Sequence, residues 1–295
     1  MFRKVYEYKI EQIEKCVENS APQCEFTVGV LFMWADKERY MIDITDEVLT
    51  IKLAENGKTS YYVPQGSGDR IAAIKKILKE NNGCARFTCV SNPDKELLLS
   101  CGYESICTPS RNDFDYVYRA EDLIRLAGKK YHGKRNHINS FYAKHDNVTF
   151  ELIKETSSEV YEFLDKYYEE CASLTELERD MVYSLVNMLE NFDMKMGVLR
   201  ADGKIVAITV GEIKGQTLYV HLEKALRSFE GAAEVINNEY AKIYRDDVVF
   251  INREDDNGSE GLRFAKTSYH PVFLIEKSNI TLFRSNIRSN NNSDI

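Results

Sequence analysis

The sequence predicts an α/β (α+β) protein built from two related units. Three observations predict it. Strand-like apolar runs alternate with stretches of helical spacing along the chain. In each half, several meandering strands lead through a glycine-containing turn into an amphipathic helix, then a strand, a helix and a strand. Finally, 295 residues with 43% hydrophobic and 29% charged side chains match ordinary globular cores, not a disordered or fibrous chain.

The elements follow in order. Phe26 to Trp34 is nearly continuous apolar and reads as a strand covered on both faces. Strands are expected over Arg39–Ile44, Val48–Leu53 and Thr59–Val63, with Asn56-Gly57 as the hairpin turn between the last two. After the Gln65-Gly66-Ser67-Gly68 turn, Ile71 to Leu78 has helical spacing, and Asn81-Asn82-Gly83 stops that helix. A strand (Arg86–Val90), a helix (Pro93–Leu99) and a strand (Asp113–Tyr118) complete the first set. Glu121 to His145 is helical, broken at Gly128 and Gly133. The second set opens with Val148–Leu152 and continues with helices near 157–171 and 175–190. Met196–Arg200 and Ile205–Glu212 form a hairpin through Asp202-Gly203, and Leu218–Glu223 follows a turn at Lys214-Gly215-Gln216. A helix (231–245), a strand (Val248–Asn252), a polar loop (253–260), a helix (261–268) and a strand (Pro271–Glu276) close it. The expected organisation is 1–145, 146–284 and a polar tail at 285–295.

Charge and cysteine content narrow the function classes. The net charge is −8, which argues against wholesale nucleic-acid binding while leaving room for a local basic patch. No apolar run approaches a membrane span, and the start lacks a signal core, so a cytoplasmic chain is expected. Seven scattered cysteines without a C-x-x-C pair read as buried, reduced thiols, with no metal site.

Three stretches carry candidate chemistry. On the strand Leu218–Glu223, Tyr219, His221 and Glu223 share a face if the alternation is regular. His221 and Glu223 stand roughly 6.5–7 Å apart along it and could relieve an acceptor of its proton, or form a salt-bridged pair. Gly231 and Ala232 open the next helix, where bare amides and the helix dipole favour an anion, with Arg227 adding charge. The glycine could equally serve only the entry angle of the helix. Between 119 and 145 there are seven Lys/Arg and two acids. Lys129, Lys130, His132, Lys134, Arg135 and His137 could bind a phosphate or carboxylate, or be a solvated face. The third stretch is the polar loop after Val248–Asn252, at the carboxyl end of a strand, where α/β folds place ligands. Its acids lack the EF-hand spacing. Tyr269 and His270 could act as an acid/base pair or cap a helix.

Three segments carry a family resemblance. They are Glu121-Asp122-Leu123-Ile124…Gly128-Lys129-Lys130-Tyr131-His132-x-Lys134-Arg135-Asn136-His137-Ile138-Asn139-x-Phe141, Ile251-Asn252-Arg253-Glu254-Asp255-Asp256-x-Gly258-x-x-Gly261-Leu262-Arg263-x-Ala265-Lys266, and Ser268-Tyr269-His270-Pro271. The chain resembles the soluble proteins related to the C-terminal domain of phosphatidylglycerol lysyltransferase. That resemblance implies two tandem GNAT-like (acyl-CoA N-acyltransferase) domains with mixed central sheets, similar to the Fem-type aminoacyltransferases. It implies an acyl or aminoacyl transfer from a phosphate-bearing donor, acyl-CoA or aminoacyl-tRNA, to an amine or hydroxyl. The acceptor would be a small molecule, a peptide or a lipid head group, and no tightly bound cofactor is needed. Donor phosphates would lie at Arg227, Gly231 and Ala232, with Asn252 beside them. The turn reads Arg227-x-x-x-Gly231-Ala232 where the family pattern is Q/R-x-x-G-x-G/A. Glu223 or His221 would be the base, Tyr269 the acid, and the 129–137 tract the anion holder. A non-catalytic protein of the same fold that binds an anionic small molecule is the rival expectation.

Overall fold

A computed structural model describes residues 1–35, 40–55, 57–171, 175–192 and 194–284. In chain order the elements begin with β1 (Arg3–Lys4), α1 (Ile10–Val17), α2 (Val28–Met33), β2 (Tyr40–Thr45), β3 (Val48–Glu55), β4 (Lys58–Tyr61) and β5 (Gln65–Gly66). Next come α3 (Arg70–Glu80), β6 (Cys84–Ser91), α4 (Asn92–Leu99), β7 (Glu104–Pro109), β8 (Asp115–Arg119), α5 (Ala120–Arg125) and α6 (His132–Lys144). The rest are β9 (Thr149–Ile153), α7 (Ser158–Glu170), α8 (Glu176–Asn187), β10 (Lys195–Ala201), β11 (Lys204–Lys214), β12 (Thr217–Ala225) and α9 (Ala232–Ile243). Then follow β13 (Phe250–Asn252), α10 (Glu260–Thr267), β14 (Phe273–Ile275) and β15 (Lys277–Phe283).

The chain divides into two compact units, but not at 145/146. Among the described residues, one unit takes those up to Asp115, Asp255–Glu260 and 274–284, and the other takes Tyr116–Glu254 and Gly261–Phe273. The basic stretch joins the second unit because α5 and α6 both pack on α9. The last strand joins the first unit because β15 hydrogen-bonds to β6 and β7. The polar tail 285–295 and Asn56 lie outside the described residues.

In the first unit the mixed sheet runs β1-β2-β3-β4-β6-β15-β7, with β5 paired to β3. Asp69 caps α3 by accepting the Ala72 amide at 2.9 Å, and Ile74, Ile77 and Leu78 bury its apolar stripe. These pack with Phe87, Val90, Leu98, Ile280 and Leu282. The helix ends in Asn82 (φ 55°) and Gly83 (φ 82°), as the sequence predicts. Phe26–Trp34 is a correction: it folds as a 3-10 turn followed by α2, whose six residues are all buried. A short apolar run without period fits a buried helix as well as a buried strand. The cysteine expectation holds only in part, for all seven are free thiols but Cys84 and Cys107 are exposed.

A buried ion cluster links three distant segments of this unit. The Lys277 ammonium, fully buried, bonds both Glu25 oxygens at 2.8 Å and Asp115 Oδ1 at 2.6 Å. Burial pushes the Glu25 carboxyl up to about 7 even though Lys277 opposes the shift. Cys24, Asp115 and Asp255 offer ligand atoms within 4.8 Å of one another. The Lys277 ammonium already sits on Asp115 and 3.7 Å from Cys24 Sγ, so this group is built as an ion-pair centre.

The second unit's mixed sheet runs β14-β8-β13-β12-β11-β10-β9. Asp202 (φ 52°) and Gly203 (φ 74°) make the expected hairpin turn between β10 and β11. Val235 and Ile236 of α9 pack on Leu199, Ala201, Val206 and Ala207, with Phe141 of α6 beside them. Gly133 does not break its helix, which runs unbroken through α6; Gly128 (φ 83°) does break the chain before it.

Candidate functional site

The site is built by a fork in the second sheet. β12 and β13 pair in parallel only over Thr217–Tyr219 and Phe250–Asn252. β12 then continues to Ala225, while β13 stops and the chain turns through Arg253 and Glu254. The opening lies at the carboxyl ends of parallel strands, where ligands bind in such sheets.

His221 stands at a slip in register. Val210 pairs with Leu222 and Gly211 with Val220, so His221 has no partner across β11. Gly211 is required there, since a Cβ on it would lie 2.3 Å from the Tyr219 carbonyl oxygen. The bulge interrupts the simple alternation expected for this strand and re-aims the imidazole. His221 is clamped between two carboxylates, Nε2 at 2.9 Å from Glu212 and Nδ1 at 2.7 Å from Glu254. Burial alone would lower its pKa, but the two carboxylates outweigh burial and lift it to about 10. A charged imidazolium with both nitrogens occupied cannot act as a base near neutrality. His221 is therefore a structural cation.

Glu223 lies one turn of the pleat further on and has different partners. Arg253 Nη2 donates to Oε1 at 2.7 Å, and Asn237 Nδ2, from α9, donates to Oε2 at 3.0 Å. Arg253 is placed by backbone bonds: its amide donates to the Tyr116 carbonyl at 3.0 Å, and its own carbonyl accepts Lys266 Nζ. Asn252, fully buried, holds the next residue, its Oδ1 accepting the Glu254 amide at 2.8 Å. Glu254 adopts a left-handed φ of 57° there, and its carbonyl accepts the Tyr116 amide.

Tyr269 covers the same group. Its ring is flanked by Lys134 Nζ at 4.1 Å and the Arg253 guanidinium at 4.8 Å. Tyr131 OH donates to its carbonyl at 2.9 Å. Burial holds the phenol well above its ordinary range, against the pull of Arg253, so Tyr269 keeps its proton. Two atoms at this cluster are fully buried and meet no hydrogen-bond partner among the described residues: Asn237 Oδ1 and Arg253 Nη1.

The expected phosphate turn is filled by the protein itself. Glu170 accepts the Arg227 amide at 2.7 Å, the Ser228 amide at 3.3 Å and Ser228 Oγ at 2.7 Å. Although partial burial raises the Glu170 carboxyl, these bonds outweigh it and hold it below the usual range. Gly231 (φ 93°) faces α6, and a Cβ on it would lie 2.6 Å from the His137 carbonyl oxygen and 3.1 Å from Phe141 Cβ. Its openness serves close helix packing. Ala232 is fully buried in the same contact.

The basic tract is largely self-satisfied. Lys134 pairs with Glu234 at 3.3 Å and Lys130 with Asp122 at 3.5 Å. Arg135 Nη1 bonds the Leu126 carbonyl and, at 2.8 Å, that of Gly128, closing the end of α5. His132 Nε2 lies 3.1 Å from Asn136 Nδ2, while Lys129 and His137 stand exposed. Of the residues singled out in the sequence, the structure gathers Glu223, Tyr269 and Lys134 around Arg253, with His221 in the adjoining clamp. Arg227, Gly231, Ala232 and most of the basic tract make other contacts. Sequence reasoning gave no individual role to Arg253, Asn237, Glu212 or Glu254, although Arg253 and Glu254 lie in the polar loop and the family motif it singled out. Two signals pointed to them: the strand-end position of Arg253-Glu254, and the pair Asn237-Asn238 inside an otherwise apolar helix face.

The sequence matches the family described as "Phosphatidylglycerol lysyltransferase, C-terminal" over residues 19–280. The chain belongs to that family. A conserved protein of unknown function from Bacteroides thetaiotaomicron VPI-5482 is 29% identical, with a TM-score of 0.84 over 96% of this chain and 99% of that one. L-PGS from Bacillus licheniformis shares the fold at 16% identity and a TM-score of 0.67, over 94% of this chain and 92% of that one. FemX does so at 11% identity and 0.60, over 95% and 98%. An uncharacterised protein from Mycoplasmoides gallisepticum, MYCGA3080, is 20% identical over 167 residues, 55% of this chain and 54% of its own length. The chain thus spans about half the length of that curated relative. This phosphatidylglycerol lysyltransferase C-terminal family member has a mixed α/β fold with two mixed sheets, the fold it shares with L-PGS and FemX. Among the described residues, no helix is long and apolar enough to cross a membrane.

Proposed function

We propose that this family member is an enzyme that transfers an acyl or aminoacyl group from a phosphate-bearing donor to an amine or hydroxyl, with its chemistry at Glu223. One observation carries the reading: a half-buried carboxylate gripped by Arg253 and Asn237, each of which keeps one buried polar atom unmatched. Buried polar groups are nearly always paired, so such atoms mark a place where a further molecule fits. Each Glu223 oxygen accepts one bond, which leaves a lone pair for an acceptor N–H or O–H.

The step balances without metal or redox help. The acceptor nitrogen or oxygen attacks the donor carbonyl, and Glu223 takes its proton. Arg253, paired with Glu223, holds that carboxylate in place for the transfer. The donor C–O bond of an ester, or C–S bond of a thioester, breaks, and Tyr269 returns a proton to the leaving atom. Donors are charged tRNA or acyl-CoA; acceptors are small molecules, peptides or lipid head groups. With Glu170 seated in the 227–228 turn, charged tRNA is favoured over acyl-CoA.

The test offers the purified protein aminoacyl-tRNAs and acyl-CoAs with a panel of amines and alcohols. Transfer is expected from one donor class, and Glu223→Gln should lower kcat by about 10²–10⁴. Absence of transfer and of saturable donor binding would defeat the proposal. The clamped His221 and the occupied turn favour a second reading, a non-catalytic binder of the same fold. That reading requires ligand binding in wild type and Glu223→Gln alike, with no turnover in either.

A further inference from the structure

We infer that the Glu223 fork reads an amide, and so takes a peptide or another carboxamide as its ligand, not an anion. The inference rests on placing the reactive groups at this fork. Asn237 must turn its NH₂ toward Glu223, since an ionised carboxylate only accepts. Its Oδ1 is thereby fixed as an acceptor in want of a donor. Arg253 spends Nη2 on Glu223 and keeps Nη1 as a donor in want of an acceptor. Asn237 is 5% exposed, and both orphaned atoms are shut off from solvent. A ligand that satisfies both must offer an N–H and a C=O, as one amide or consecutive amides of a peptide do.

Charge points the same way. Arg253 balances Glu223, and Lys134 balances Glu234. His221 stands between Glu212 and Glu254, so its charge is spent on two carboxylates. Among the described residues at this fork, Arg253 and Lys134 are each paired with a carboxylate and Lys266 Nζ is spent on the Arg253 carbonyl, so burying an added anion here would be costly. Hydrogen-bond complementarity without net charge is what discriminates in such a place. A site built to bond a polar group rejects analogues that lack it, because its own buried atoms then go unpaired.

The experiment titrates the full chain with a doubly capped dipeptide amide, glycerol 3-phosphate and inorganic phosphate, read by amide chemical shifts and by Tm. Saturable shifts centred on Asn237 and Arg253 with the dipeptide, and none with either phosphate, are expected. Asn237→Leu and Arg253→Lys should each weaken dipeptide binding by roughly tenfold or more, with far-ultraviolet circular dichroism unchanged. Arg253→Lys keeps the charge opposite Glu223, so it reports on the lost donor if the leucine variant fails to fold. Binding of either phosphate at these residues would overturn the inference. So would dipeptide binding that is absent or indifferent to both substitutions, the outcome if water alone fills the gap. Transfer to a hydroxyl acceptor with no amide binding would sink this inference and leave the proposed chemistry standing. Amide binding without any transfer would do the reverse.

Discussion

At the scale of single residues, the structure separates His221 from Glu223, which the strand pattern treats as equivalent candidates. Their neighbours decide. His221 has a carboxylate on each nitrogen, whereas Glu223 shares its charge with an arginine and an amide. Against the pull of burial, its two carboxylates lift His221 from its ordinary 6.5 to about 10 in the folded protein. The stabilisation from its charge is therefore complete below about pH 6.5 and lost as pH rises toward 10. Nitrogen-15 spectra should show a protonated ring from pH 6 to 8.5, and a titration near 6.5 would refute the clamp. His221→Gln removes the cation between Glu212 and Glu254, so unfolding by urea at pH 7 should show a loss of about 3 kcal/mol, shrinking at higher pH.

At the scale of elements, α9 shows how the same residues serve either of two ends. A glycine at a helix start permits close approach by a ligand or by another helix, and nothing in residues 227–232 says which. The decision lies in α6, about a hundred positions earlier, whose His137 carbonyl meets Gly231. Gly231→Ala would add a methyl group to a left-handed position pressed against that backbone, and should cost about 1–3 kcal/mol in urea unfolding. An unchanged midpoint would mean that the turn is open after all. Most elements were legible because amphipathic spacing and turn pairs such as Asp202-Gly203 are local signals. Phe26–Trp34 was not, because full burial erases the period that tells a helix from a strand. For the candidate site, Glu223, Tyr269 and Lys134 could be read from type and position. Arg253 and Asn237 left only a strand-end position and a polar pair on an apolar helix face, since their partnership comes from a fork in the sheet, not from spacing along the chain.

At the scale of the whole molecule, the unit boundaries were hidden because the chain passes between units more than once. Residues 255–260 and 274–284 belong with the first unit, although they follow most of the second. β15 escaped notice for a related reason. It begins with a lysine, and only Glu25 and Asp115, far away in sequence, make that lysine a core residue. β15 runs between β6 and β7, so removing it takes out an interior strand together with the Lys277 ion pairs. A chain cut after Glu276 should lose the near-ultraviolet circular dichroism of the first unit and the amide protection of β6 and β7. Retention of that protection would show that the two strands hold without it.

The place of β15 also bears on when the first sheet can close. Its strands up to β6 are made early, yet the second partner of β6 arrives only with residues 277–283, so through most of synthesis that edge stays unmatched and open to chaperones.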